Sequence, residues 1–351
     1  MKVVAYSIKP FEKEYLIKAN QKKHDITLIS NRLTPETVGF AEGKDAVIVF
    51  TNDDVSAPVI QELNKLGVRF IATRSAGTDH IDKQAAALHG IKLASVPAYS
   101  PQAIAEHTVA LALALNRRLP RADKQSHHFD FRLDDLMGFN LHQKTVGIVG
   151  LGNIGRATAA IFKGFGCRII GYDANTAQEL NFVEKVSLQT LYHEADIISL
   201  HLPLTPETYY MIDARAIAAM KEGVMLLNTS RGGLMKTVDV VEGVYSGHIG
   251  YLGLDVYENE KNLFFDDHEY DRDKDPLLQQ LLNHPNVLVT PHQAFLTKEA
   301  LQQITQQTIK NLDLWQDKKC VGDACACARG CRTATPATSK PQEDNVNNYL
   351  L

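Results

Sequence analysis

Short β-branched runs alternate with amphipathic stretches along the first hundred residues. Val3-Val4-Ala5-Tyr6, Ile26-Thr27-Leu28-Ile29, Ala46-Val47-Ile48-Val49-Phe50 and Phe70-Ile71-Ala72 have the continuous apolar character of strands buried on both faces. Between them, Glu12 to Asn20 and Pro58 to Leu66 carry helical spacing. Pro101 then opens a long apolar helix reaching about Arg118, with proline at an early helical position. The segment Leu119 to Gln143 is polar and is expected to be irregular. A second series of strands follows: Thr145–Val149, Arg168–Tyr172, Asp196–Leu200, Val224–Leu227, Tyr251–Leu254 and Val287–Val289. Thr297 to Asp317 closes the series as a helix, with Leu301, Ile304, Ile309, Leu312 and Trp315 on one face. Alternating strands and helices of this kind predict an α/β protein with doubly wound parallel sheets.

Composition narrows the function. The chain has 351 residues, a length that suits two domains, and 44% are apolar, as in soluble globular proteins. A net charge of -4 gives no reason to expect nucleic acid or an anionic membrane as partner. The longest apolar stretch, near Thr108 to Leu115, is too short for a bilayer, and the N-terminus lacks a secretory pattern, so a cytoplasmic protein is expected. Cys167 stands alone, while Cys320, Cys325, Cys327 and Cys331 crowd a tail poor in large apolar residues. That distribution fits a reduced protein, with residues 319–351 expected to be a disordered extension. The tail spacing matches no common zinc site, and the acidic run Asp266 to Asp271 reads as a solvated loop, so no metal is expected.

The strongest local signal is Gly150-Leu151-Gly152-Asn153-Ile154-Gly155. A strand precedes it, a helix follows, and the next strand ends in Asp173, near the roughly 20-residue separation expected of a ribose-binding carboxylate. Gly150 allows the tight turn, Gly152 lets a pyrophosphate approach the backbone, and Gly155 allows close packing of the helix. The helix start offers free N–H groups and a positive dipole end. Arg156 is a candidate further contact. The expected cofactor is NAD rather than NADP, because Asp173 would repel a 2′-phosphate. A motif so far into the chain also suggests a cofactor domain inserted into another domain.

Reducing a 2-keto acid requires a cation for the carboxylate, a donor to polarise the keto oxygen and an acid to deliver a proton. Arginine suits the first two tasks through its planar fork, and histidine suits the third. Arg231, Glu260 and His292 each lie just beyond a strand of the second series, where ligands bind in parallel sheets. Taken singly, each also has a bland reading, as a loop cation, a surface charge and a turn residue.

Together, Arg231-Gly-Gly, Asp255-Val-Tyr-Glu-Asn-Glu260 and Pro291-His292-Gln-Ala-Phe295 resemble the D-2-hydroxyacid dehydrogenase family, most closely the fermentative D-lactate dehydrogenases of bacteria. Supporting segments are Arg74 to Asp82, Val96 to His107 and His201-Leu-Pro-Leu-Thr-Pro-Glu-Thr208, so the resemblance runs to about Trp315. It implies two Rossmann-like parallel-sheet domains. Residues 1–98 and 296–318 would form a discontinuous, flavodoxin-like substrate domain, and residues 99–295 an inserted NAD-binding domain, with a hinge near Tyr99 and Phe295. It implies that Arg231 binds the carboxylate and keto oxygen, and that His292, paired with Glu260, exchanges the proton. Ala76 and Gly77 would offer backbone N–H groups to the carboxylate. Leu202, Pro203, Thr208, Thr229 and Asp255 would lie along the cofactor. Tyr99, Phe50 and Phe295 would close the pocket, and their bulk favours pyruvate. The resemblance further implies a homodimer or homotetramer. Two other readings stay open: a dehydrogenase for a bulkier 2-keto acid, and an NAD-sensing, corepressor-like binding protein.

Overall fold

Two parallel sheets organise the chain in a computed structural model, which describes residues 1–174, 180–261 and 263–328. The first sheet is built from β1 (Lys2–Ala5), β2 (Asp25–Leu28), β3 (Ala46–Val49), β4 (Phe70–Thr73) and β5 (Lys92–Ala94), in the order β2-β1-β3-β4-β5. This is the flavodoxin-like order. The second comprises β6 (Thr145–Val149), β7 (Arg168–Tyr172), β8 (Glu184–Lys185), β9 (Ile197–Leu200), β10 (Val224–Asn228), β11 (Ile249–Leu254) and β12 (Val287–Val289). Its order, β12-β11-β10-β9-β6-β7-β8, is the dinucleotide-binding arrangement with one added edge strand. The strands predicted from the apolar runs all form, with ends that differ by at most two residues; β5 and β8, with the helix Lys83–Leu88, are additions.

The chain divides into two compact units, one of Met1–Pro97 with the residues from Thr305 onward, the other of Ala98–Ile304. In the first, β3 and β4 are buried on both faces, so apolar side chains fill the layers above and below the sheet. One layer takes Ile309, Leu312 and Trp315 from the helix Lys298–Gln316, with Trp315 stacked on Phe70 at 4.8 Å between centroids. Arg74, beyond the end of β4, is buried with Glu12 (Nε to Oε2 2.9 Å) and stacks over the Phe50 ring at 5.4 Å. The conspicuous cation of this unit is therefore a structural ion pair.

Two expectations are corrected. Leu119–His127 is helical, not irregular. Proline in its first turn and good helix formers supply the propensity, and no side chain in it is buried, so no apolar stripe announces it. Residues 319–328 are not a loose extension. Ser95 N–H donates to Ala324 O (2.8 Å), Ala326 N–H to Leu93 O (3.1 Å), and Cys325 bridges Ala94 antiparallel. Main-chain pairing at an open sheet edge requires few apolar side chains, and Val321 and Ala324 supply them. Residues 329–351, including Cys331, lie outside the described residues. No described helix is long and apolar enough to cross a membrane.

Candidate active site

The carboxyl ends of β6, β7, β9, β10, β11 and β12 face one edge of the second sheet, and every loop singled out above in the second strand series leaves from that edge. At β6 the chain turns through Gly150, whose φ of 96° suits glycine. A Cβ on Gly155 would lie 1.9 Å from Gly150 O, so the helix Asn153–Gly164 starts directly against the strand end. Gly152 differs: a Cβ there meets nothing within 4 Å. It caps the helix without a side-chain hydrogen bond, so no capping side chain takes up the first N–H groups of the helix. Asp173, just past β7, accepts Leu151 N–H at 2.6 Å, which ties the acid to the glycine loop. Arg156 leans back on Gly152 O and Asn153 Oδ1, each at 3.4 Å. This cradle fits a dinucleotide: open backbone donors for the pyrophosphate and a carboxylate at the ribose position.

The remaining loops are held by polar contacts. After β9, Thr208 Oγ1 donates to Pro203 O (2.8 Å) and accepts Thr205 N–H (2.8 Å), so its hydroxyl closes the turn that follows Leu202. His201 is partly buried with Nε2 2.8 Å from Ser199 Oγ, and desolvation lowers its pKa to about 3, so it is neutral at physiological pH. After β10, Asn228 grips its own loop, its amide donating to Arg231 O (2.8 Å) and its carbonyl accepting Ser230 N–H (3.0 Å). Thr229 is buried, its hydroxyl 2.8 Å from that of Thr108. Gly232 lets this loop press on the next one, since a Cβ would lie 2.0 Å from Tyr257 C. Glycine after Arg231 is thus a packing requirement.

The next loop carries Glu260, whose Oε2 accepts Tyr257 N–H at 3.1 Å. Its Oε1 stands 3.0 Å from Nδ1 of His292. Both side chains are mostly shielded, at 16% and 26% exposure, enough to strengthen the pair while leaving it reachable. His292 adopts a φ of 54°, a left-handed conformation that costs a non-glycine residue about 1–3 kcal/mol. Asp255 holds it there. This fully buried carboxylate accepts the Thr290 hydroxyl (2.6 Å), Gln293 N–H (2.8 Å) and Ala294 N–H (2.8 Å). Tyr99 lies within electrostatic reach of Arg231 and Asp255; burial raises its pKa, partly offset by the guanidinium.

The structure therefore brings Glu260 and His292 into contact, with Arg231, Tyr99 and the buried Phe295 in the same unit. Phe50, Ala76 and Gly77 belong to the other unit, where Phe50 is buried under Arg74 and Ala76 is exposed. Sequence reasoning missed Phe265, whose ring lies 5.7 Å from that of His292, and the partners of Asp255. Phe265 sits in a polar loop with no periodicity to mark it. Among the described residues, no group of three His, Cys, Asp or Glu is placed to hold a metal.

Residues 109–294 match the NAD-binding domain of the D-isomer specific 2-hydroxyacid dehydrogenases. The D-lactate dehydrogenase of Escherichia coli is 45% identical over 89% of this chain and 96% of its own length. The chain belongs to the D-isomer specific 2-hydroxyacid dehydrogenases. Among solved structures of this family, the pyruvate reductase of Chlamydomonas reinhardtii superimposes with a TM-score of 0.86 at 42% identity, covering 92% of this chain and 98% of that one. The D-lactate dehydrogenase of Aquifex aeolicus, complexed with NAD and lactic acid, gives 0.82 at 30% identity over 90% and 96%. As a member of this family the protein is an NAD-dependent oxidoreductase.

The two glycines separate cofactor binding from folding. Gly152→Ala should leave the thermal midpoint unchanged, because its Cβ enters open space, yet weaken NADH binding by about tenfold or more. Gly155→Ala should lower the midpoint as well, because its Cβ meets backbone. Fluorescence titration with NADH and a thermal melt of each variant check both; unaltered NADH affinity in Gly152→Ala contradicts the assignment.

Proposed function

We propose that this dehydrogenase is a D-lactate dehydrogenase that works chiefly as a pyruvate reductase. The observation that carries the reading is the 3.0 Å contact between His292 Nδ1 and Glu260 Oε1. Nδ1 turned to the carboxylate leaves Nε2 as the nitrogen that meets substrate. Glu260 orients the ring through its contact with Nδ1. The guanidinium of Arg231 grips the substrate carboxylate with its fork and lies beside the keto oxygen, drawing charge from the carbonyl. Bound NADH supplies the hydride to the keto carbon. His292 then gives its Nε2 proton to the oxygen, and the neutral ring recovers a proton from solvent. In the oxidative direction the same nitrogen accepts the hydroxyl proton.

Pyruvate is favoured over longer acids because aromatic bulk stands near the cation: Tyr99 is within electrostatic reach of Arg231, and Phe265 lies against His292. The names of the Escherichia coli and Chlamydomonas relatives support the same substrate. Substrate preference is tested by NADH oxidation across a panel of 2-keto acids. Pyruvate should be preferred, and a preference for 2-ketoisocaproate or phenylpyruvate would keep the mechanism and refute the pocket argument. NADH binding without turnover of any acid would instead favour a sensor. His292→Ala should lower kcat by about a hundredfold or more, and Arg231→Lys should do comparable damage because lysine lacks the fork. Near-wild-type rates in either variant contradict the role assigned.

We further propose that the enzyme is cytoplasmic, in keeping with its free thiols Cys167, Cys320 and Cys327, and that it works as a homodimer or homotetramer. Self-association is supported by a segment of the NAD-binding unit that exposes Phe129 (86%), Phe131 (69%), Leu133 (82%) and Met137 (86%) within ten residues. So much apolar surface in one segment fits contact with a second copy. Light scattering should give at least twice the chain mass of 38.9 kDa, and Phe131→Ser with Leu133→Ser should shift the population toward monomer. A wild-type monomer at working concentration contradicts the proposal.

A further inference from the structure

We propose that His107, on the helix Pro101–Asn116, is a positioning residue for His292 and acts through the Thr290 hydroxyl; this rests on reading His292 as the proton donor.

The hydroxyl of Thr290 has one proton and three possible acceptors in range: Asp255 Oδ1, Leu254 O and, in one tautomer, His107 Nε2. Asp255 Oδ1, at 2.6 Å and carrying charge, takes it in preference to the other two, with Leu254 O at 3.3 Å. The oxygen of Thr290 is then left as an acceptor, and His107 Nε2 stands 3.0 Å from it. Nε2 must therefore carry a hydrogen, and the chain runs His107 N–H to Thr290 O–H to Asp255. The same nitrogen lies 3.4 Å from Asp255 Oδ1, so it also offsets the charge of a carboxylate with no access to water.

This chain acts on the reacting group by a short route. Thr290 is fixed to β11 by its N–H to Leu254 O (2.8 Å), and His292 N–H returns to Thr290 O (2.9 Å) across Pro291. The imidazole of His292 is thus carried by a tight turn in the left-handed region, with Thr290 on one side and the Asp255-bound amides of Gln293 and Ala294 on the other. If Thr290 loses its donor, the turn can relax toward ordinary dihedrals and take Nδ1 away from Glu260. A shift of about 1 Å at a reacting group costs on the order of a hundredfold in rate. A purely structural role does not explain the residue type. The neighbouring helix positions Ala103, Ile104, Val109 and Leu111 are buried and apolar, and packing alone would be met by another such side chain.

His107→Phe keeps a ring and removes the donor, while His107→Gln keeps an N–H at similar reach. We expect His107→Phe to lose about tenfold to a hundredfold in kcat, with the Kd for NADH within about threefold of wild type. His107→Gln should recover most of the loss. Thr290→Val, nearly the same in shape, should behave like His107→Phe and carries the test if phenylalanine is not accommodated. Wild-type kcat in His107→Phe and Thr290→Val, or a glutamine variant as slow as the phenylalanine one, overturns the inference. Loss of NADH binding in step with kcat also overturns it, as the mark of a general packing role. His292→Ala is assayed alongside. If it retains its rate, the reading of His292 fails; if it is inactive beside a fully active His107→Phe, only the positioning role of His107 fails.

Discussion

A carboxylate without solvent, Asp255, governs the geometry of the turn that carries His292. Burying a charge is tolerable only when hydrogen bonds replace water, and here a hydroxyl and two backbone amides do so at 2.6 to 2.8 Å. All three donors belong to the turn Thr290–Ala294. Satisfying the buried acid therefore shapes the turn, and the turn holds His292 at a φ it would otherwise avoid. Backbone strain, imidazole orientation and the contact with Glu260 follow from one desolvated group. Such strain persists only where its surroundings over-determine it, as they do here.

The parallel sheet explains how distant residues share this edge. Each strand of the second sheet runs the same way, so each loop that leaves a carboxyl end arrives beside its neighbours. Glycine then decides how closely the loops approach. Gly155 admits the helix against β6, and Gly232 admits the Arg231 loop against Tyr257. Beside these contacts, Gly152 borders open space, so one glycine motif serves packing at one position and leaves room at another.

Apolar runs made the strands legible, and the glycine motif with Asp173 made the strand–turn–helix at β6 legible, because both signals are local. The contact of Glu260 with His292 was accessible only through resemblance to a family, since 31 residues separate them and no periodicity links the two. Asp255 was expected along the cofactor; its hydrogen bonds to Thr290, Gln293 and Ala294 depend on how β11 and β12 pair, which composition does not encode. Leu119–His127 escaped notice because a helix with no buried face has no hydrophobic period. Residues 319–328 escaped because their attachment is through main chain at the edge of β5.

The reaction proposed for this family member is reduction of pyruvate to the D enantiomer of lactate. The most direct test is chiral chromatography of the product formed by the purified protein from pyruvate and NADH. D-lactate as the sole product, in amount equal to the NADH consumed, is the predicted result. L-lactate, a racemic mixture, or NADH loss without lactate would contradict the account.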